Sequence, residues 1–261
     1  MKNLEERIYK SPKRVIVVWF SCGAASAVAA KKTIEKYGST HRVIIANTYI
    51  KEEHPDNRRF LKDVQKWIGQ EIINVVNSKW PESSIIQIFD DRKYMGGQKG
   101  APCTMILKKE ARREYQKDKP IAWNVFGFTS EEIKRHEDFV KFETPFVIPL
   151  LIDEGLTNQD CFDILNSASI KVPVVYDLGF PNANCLGCVK ATSPTYWNHL
   201  RKTFPDVFDK RARQSRRIGA KLVRVEGTRI YLDELKANVI GNKMRNISCN
   251  GFCNDNEAEN S

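Results

Sequence analysis

The sequence predicts an α/β fold, a doubly wound parallel sheet with a C-terminal extension of helices and a hairpin. Three observations carry that expectation. Short apolar runs recur along the chain, as strands buried on both faces require. Stretches with apolar residues at helical spacing separate them, and such alternation builds a parallel sheet with crossover helices on both faces. The first apolar run ends in a loop of very small side chains, Ser21-Cys22-Gly23-Ala24-Ala25-Ser26, before a helix begins.

Residues 14–20 (Arg-Val-Ile-Val-Val-Trp-Phe) read as the first buried strand, and 24–37 as a helix stopped by Gly38. Residues 42–47 are a second apolar strand. Residues 55–68 set Phe60, Leu61, Val64, Trp67 and Ile68 at helical spacing and stop at Gly69. A third strand fits 71–76, a helix 103–117, a strand 121–127, and helices 130–140 and 157–166. Residues 172–192 are irregular, with two prolines. Helices follow at about 194–203 and 206–219, and 221–232 reads as a hairpin around Glu226-Gly227. The tail after Ser248 is polar and acidic and is expected to be loose. The expected organisation is a nucleotide-binding α/β domain over 1–170, a basic helical and hairpin extension packed on it over 171–247, and a cysteine-containing tail over 248–261.

A chain of 261 residues with 41% hydrophobic content can bury a sizeable core. It has no run of 18 apolar residues, and its opening residues lack the apolar stretch of a signal peptide, so a cytoplasmic location is expected. In a reducing compartment its seven cysteines point to metal or redox chemistry rather than disulfides. Two pairs stand close in sequence, Cys185 with Cys188 and Cys249 with Cys253. The net charge is +10, and 190–245 carries 14 Lys/Arg against 5 Asp/Glu. That bias suits tRNA, DNA or another polyanion, and equally a solvated helical face.

In a doubly wound sheet, ligands bind beyond the C-terminal strand ends, where loops meet helix N-termini. A loop of tiny residues there lets an anion approach backbone N–H groups and the positive end of a helix dipole. Ser21 and Ser26 can add hydroxyl donors, while Gly23, Ala24 and Ala25 leave room. The loop carries neither the Gly-Lys-Ser/Thr of a Walker site nor Gly-x-Gly-x-x-Gly. A tight turn with no ligand would need the same residues.

The loop resembles the Ser-Gly-Gly-x-Asp-Ser loop of the PP-loop ATP pyrophosphatases, the adenine nucleotide alpha hydrolase-like group, and within it the phosphoadenosine phosphosulfate (PAPS) reductase family. Cys22 stands for the first Gly and Ala25 for the Asp, whose absence weakens the case for ATP turnover. Asn47-Thr48-Tyr49 with His54-Pro55-Asp56 is similar to the family's segment after the second strand, and the resemblance puts Asn47 and Thr48 near adenosine. Residues 102–108, from Pro102-Cys103 to Lys108, resemble the Cys-Cys-x-x-Arg-Lys segment of cluster-bearing reductases. Residues 123–135 resemble Trp-x-x-Gly-x-Arg-x-x-x-Ser-x-x-Arg, with Gly127 and Arg135 matching and Phe128 where an Arg is usual. Cys185-Leu186-Gly187-Cys188 matches the later Cys-x-x-Cys. The resemblance spans about residues 14–200, and compact reductase-like proteins of this kind resemble those of phages and mobile elements.

By that resemblance Cys103, Cys185 and Cys188 hold a [4Fe–4S] cluster, with Pro102 in place of a further cysteine and the fourth iron open or capped by Cys249 or Cys253. Cys185 and Cys188 also suit a zinc site completed by Cys249 and Cys253, or two thiols that hold no metal. Cys161 reads as a buried helix residue. Cys22 is either packed under the loop or a thiol activated by the helix N-terminus. Cys249 or Cys253 can act as a tail nucleophile, as the family's mobile C-terminal cysteine does, although Glu-Cys-Gly-x-His is absent. Of the histidines, His41 is expected at the surface and His54 in the nucleotide loop.

Three functions follow as expectations. The first is a PAPS reductase-like oxidoreductase that binds an adenine nucleotide, ATP or PAPS, and reduces a sulfonucleotide with a thiol donor. The second is an ATP-dependent, cluster-dependent sulfurtransferase acting on tRNA or DNA, fed by a sulfur donor protein. The third is a nucleotide- or nucleic-acid-binding protein without catalysis. The sequence leaves the oligomeric state open, a dimer included.

Overall fold

The computed structural model describes residues 2–12, 14–96 and 100–244. Cys249 and Cys253 lie outside the described residues. The chain forms two compact units, and the division is interleaved. The first takes residues 1–49, 55–76 and 111–174; the second takes 50–54, 77–110 and 175–261.

The first unit is an α/β layer structure. In chain order it holds α1 (Lys2–Lys10), β1 (Val15–Trp19), α2 (Ala24–Tyr37), β2 (Arg42–Thr48), α3 (Asp56–Ile68) and β3 (Ile72–Val75). The second unit then contributes α4 (Ile85–Arg92) and a π-helical segment, Thr104–Glu110. The first unit resumes with α5 (Ala111–Gln116), β4 (Ile121–Val125), α6 (Ile133–Phe142), β5 (Val147–Ile148), α7 (Leu150–Asp153) and α8 (Asn158–Ser167). The sheet order is β3-β2-β1-β4-β5 and every pairing is parallel. The order reverses between β1 and β4, which makes their C-terminal ends the switch point of the sheet.

Strand β1 is apolar throughout because both of its faces are covered. Ile16, Val18 and Phe20 join one core with residues of α2, α3 and α8, among them Ala27, Phe60 and Cys161. Val17 and Trp19 join the opposite core with Ala111, Phe126, Phe128 and Phe139. The expected doubly wound arrangement is therefore present, and its strands fall within one or two residues of their expected bounds. Gly69 ends α3 in the left-handed region at φ 69°.

The second unit continues with α9 (Val174–Asp177, which starts at the boundary), α10 (Pro194–Thr203), α11 (Pro205–Ile218) and the hairpin β6 (Val223–Val225) and β7 (Thr228–Ile230). Glu226 and Gly227 both have positive φ, 46° and 80°, as a two-residue hairpin turn requires. Its core gathers Ile50, Phe89, Leu107, Trp197, Leu200 and Val223.

Three expectations need correction. Residues 103–117 form a π-helical turn and then a short α-helix, not one α-helix. Helices α1, α4, α7 and α9 and strand β5 were not anticipated, and α9 falls within the stretch 172–192 that was expected to be irregular. His41 is buried at 4% exposure rather than at the surface: its ring nitrogens meet Thr40 Oγ1 and the Ile8 carbonyl, and Tyr37 packs on it edge-on. No helix among the described residues is long and apolar enough to cross a membrane.

Candidate nucleotide loop and cysteine pocket

In the first unit, residues 21–26 sit at the C-terminal end of β1. Gly23 caps α2 in an extended conformation without a side-chain hydrogen bond. The Ser26 hydroxyl closes the loop on itself. It donates to the Gly23 carbonyl at 2.9 Å and accepts from Ser21 N at 3.0 Å and from the Ser21 hydroxyl at 3.2 Å. Its one proton is thereby used, and the side chain is 3% exposed. In this arrangement the Ser26 hydroxyl shapes the loop.

Cys22 is fully buried and has φ 58°. That conformation explains why a glycine suits the position in the loops it resembles. Asn47 Nδ2 and Arg58 Nη2 both approach the Cys22 Sγ at 3.7 Å. Asn47 is 1% exposed, also donates to the Phe20 carbonyl at 2.8 Å, and accepts from Arg58 Nη1 at 3.2 Å. The Asn47 amide is thus spent holding the end of β1, and Thr48 is half-buried at the end of β2. Arg58 was not anticipated. It lies at the start of α3, 4.8 Å above the Tyr49 ring, beside the loop. A basic residue in the first turn after a candidate ligand loop was the available signal.

Gly127 follows β4, across the switch point. A Cβ there would come within 2.7 Å of Ser26 N and 2.9 Å of the Ala25 carbonyl carbon. Only glycine lets the β4 loop close on the β1 loop. Phe128 is buried among Phe126 and Phe139, so the residue at this position supplies no cation of its own. Arg135 pairs with Glu132 within its own helical turn and lies 5.0 Å over the Phe128 ring.

In the second unit, Cys103, Cys185 and Cys188 line one small cavity with Thr104, Lys108 and Lys190. The Cys-x-x-Cys turn is held by Leu186 N donating to the Glu52 carbonyl at 3.1 Å, and Gly187 takes φ 70°. Cys188 N donates to the Tyr196 hydroxyl at 3.0 Å, and burial pushes that phenol's pKa up. Lys108 faces Glu53 at 4.0 Å, both side chains buried. Arg211 is buried as well; burial lowers its pKa, while the nearby Cys103, Glu52, Cys185 and Cys188 oppose that shift. Two buried polar atoms here, Thr104 Oγ1 and Arg211 Nε, have no hydrogen-bond partner among the described residues. No three His, Cys, Asp or Glu side chains among the described residues converge on a position for a single metal ion.

The remaining cysteines and histidines separate clearly. Cys161 is fully buried in α8, and burial pushes its thiol up to about 12. His54 belongs to the second unit rather than to the nucleotide loop, its ring 5.6 Å from Phe204. His199 meets the Leu178 carbonyl at 2.8 Å through Nε2. Much of the basic run is engaged internally: Arg201 donates to the Leu235 carbonyl, Arg216 pairs with Asp233 and Glu234, and Arg217 pairs with Asp90.

No protein-family model matches the chain, and no curated protein matches it. Among solved structures it is similar to phosphoadenylyl-sulfate (PAPS) reductase from Candida auris in a phosphate complex, at 10% identity and TM-score 0.49, covering 70% of this chain and 86% of that one. It is also similar to the U34-tRNA thiolase NcsA from Methanococcus maripaludis with its [4Fe-4S] cluster, at 13% identity and TM-score 0.41, covering 95% of this chain and 86% of that one. Both likenesses are distant, and neither carries a function over to this chain.

Proposed function

We propose that this chain is an adenine-nucleotide-binding enzyme of sulfur chemistry, with the nucleotide phosphates at residues 21–26 and the sulfur chemistry at Cys103, Cys185 and Cys188. The observation that carries the reading is the close approach of Gly127 to the backbone of Ala25 and Ser26. It packs the β4 loop directly on the β1 loop at the switch point of a parallel sheet, the place where such folds bind ligands beside a helix N-terminus. Arg58 supplies a cation beside the loop, and Thr48 stands at the end of the next strand.

The cysteine pocket fits an iron–sulfur cluster by the chemistry of its donors. Three thiols line one cavity, and thiolates are the donors that iron–sulfur clusters and structural zinc both take. Lys108, Lys190 and buried Arg211 would balance the negative charge of three thiolates. Such a cluster, when bound, supplies an iron that can ligate sulfur. The chain's own residues would hold it through the three thiols and fix the Cys-x-x-Cys turn through Glu52, Gly187 and Tyr196.

Sulfonucleotide reduction is the first reading of the reaction, with Cys249 or Cys253 as the nucleophile. Sulfur transfer to tRNA or DNA is the second. It is favoured by a specific feature, the exposed Arg224 and half-buried Arg229 of the β6–β7 hairpin. Calorimetric titration of anaerobically purified protein with PAPS and with ATP separates the two. Tighter binding of PAPS supports reduction, and tighter binding of ATP supports transfer. Gly127→Ala should weaken either ligand at least about tenfold, since a wall of packed backbone tolerates an inserted methyl poorly. Binding of neither nucleotide by the wild-type protein would overturn the reading.

A further inference from the structure

A second concave site lies within the second unit. It has a volume of about 320 Å³ and is lined by Lys190, Thr192, Ser193, Arg224, Glu226 and Lys243, among others. It shares no residue with the loop at 21–26 and only Lys190 with the cysteine pocket. A volume of this order is at the lower end of what small ligands occupy.

The walls of this site are held by specific hydrogen bonds. Arg224 N donates to the Thr192 carbonyl at 2.9 Å, which fixes the hairpin against the segment before α10. The Ser193 hydroxyl caps α10 and donates to the Asn242 carbonyl at 2.6 Å. Thr195 Oγ1 accepts from Gly241 N and donates to the Gly241 carbonyl, both at 2.9 Å. Asn198 Nδ2 holds the Val239 carbonyl at 2.8 Å. Gly241 crosses the helix so tightly that a Cβ would stand 2.5 Å from Pro194 Cδ. The returning segment is thereby stitched to the N-terminal turn of α10 as the third wall.

The charged side chains lining the site are mostly cations. Lys190, Arg224 and Lys243 line it against a single carboxylate, Glu226. Arg224 also stands directly opposite Arg229 in the hairpin register. Like charges facing each other across an antiparallel pair are destabilising unless something offsets them. Arg224, Arg229 and Lys243 form no ion pair among the described residues, whereas Arg216 and Arg217 nearby are paired with carboxylates. Guanidinium and ammonium groups around a concave site, beside a helix N-terminus, match the oxygens of a phosphate group.

We propose that this is a phosphate-binding site for a phosphate group carried by a nucleic-acid backbone or by a phosphorylated small molecule. The inference stands independently of the nucleotide and sulfur readings.

The test uses the full chain, inorganic phosphate followed by amide NMR, and a mixed-sequence single-stranded RNA followed by anisotropy at several salt concentrations. Phosphate should shift the amides of Thr192, Ser193, Tyr196 and 224–227. Arg224→Gln combined with Lys243→Gln should weaken phosphate binding at least about tenfold. Arg224→Lys with Lys243→Arg should retain it, which separates lost charge from lost fold. If the phosphate rides on RNA, the double Gln change lowers the slope of log affinity against log salt by about 1.4, at ~0.7 per contact. An unchanged RNA slope with weakened phosphate binding assigns the site to a small phosphorylated ligand. Phosphate shifts confined to other residues, or wild-type phosphate binding in the Gln variant, would overturn the proposal.

Discussion

Cys22 shows how one residue can reveal a conformation the sequence only hints at. Its φ of 58° is the left-handed region, where a Cβ costs roughly 1 kcal/mol or more. Its thiol is nevertheless fully buried, with Asn47 and Arg58 directed at the sulfur. Removal of the sulfur alone keeps the strain and empties the space. Removal of the whole side chain empties the space and relieves the strain. Cys22→Ala should therefore lower stability by about 1 kcal/mol or more, on the scale of small buried deletions. Cys22→Gly should be the less damaging change despite removing one more atom, a ranking that denaturant melts can read directly. The opposite ranking would mean that the backbone is not strained at this residue. Of the two readings the residue type offered, packing under the loop or a thiol activated by the helix N-terminus, the full burial of the side chain favours the first.

At the scale of elements, legibility followed the range of the interactions involved. The strands of the first unit were readable because burial on both faces writes itself as a continuous apolar run. Helix α8 was readable because Thr157 and Asp160 form a reciprocal capping box. Helix α4 carried a signal that went unread: Ser84 caps it, and Ile85, Ile88 and Phe89 share one buried face. The π-helical turn at 104–110 had no signal, since its wider ladder depends on packing rather than on composition. The α8 box also has a pH signature. The Asp160 carboxylate accepts from the Thr157 hydroxyl and from Thr157 N, and these bonds lower its pKa from the usual value. A lowered folded-state pKa contributes stability above the unfolded pKa and loses it as pH falls through the folded value. Asp160→Asn should therefore be less stable than wild type near neutrality, and the gap should close below about pH 4. A gap of constant size across the acid range would show that the carboxylate charge plays no part. Thr157→Ala should cost about 1 kcal/mol at neutral pH, as lost N-caps do.

At the scale of the whole molecule, the least legible feature is the interleaving of the units. Segments 50–54 and 77–110 join residues after 174, an arrangement set by contacts between distant parts of the chain. That interleaving is what puts Cys103 beside Cys185 and Cys188, a grouping that family resemblance suggested and spacing alone could not. Charge was similarly hard to read. The excess of cations was visible, but which of them are spent internally, as Arg201, Arg211, Arg216 and Arg217 are, depends on the folded positions of their partners. The cysteine pocket has a thermodynamic consequence. Its three thiols come together only in the folded second unit, so anything they bind in common binds the native state and stabilises it by mass action. Anaerobically purified protein loaded with iron and sulfide should melt at a higher temperature than the same protein stripped by a chelator. Cys103→Ser, Cys185→Ser and Cys188→Ser should each reduce that difference and the bound iron, while Cys161→Ser, buried in α8 of the first unit, should leave the bound iron unchanged. Iron content and melting temperature are both read without any assay of activity. Equal melting of loaded and stripped protein, or iron retained in all three variants, would remove the cluster from the proposal, and zinc found in place of iron would return the pocket to a structural metal site.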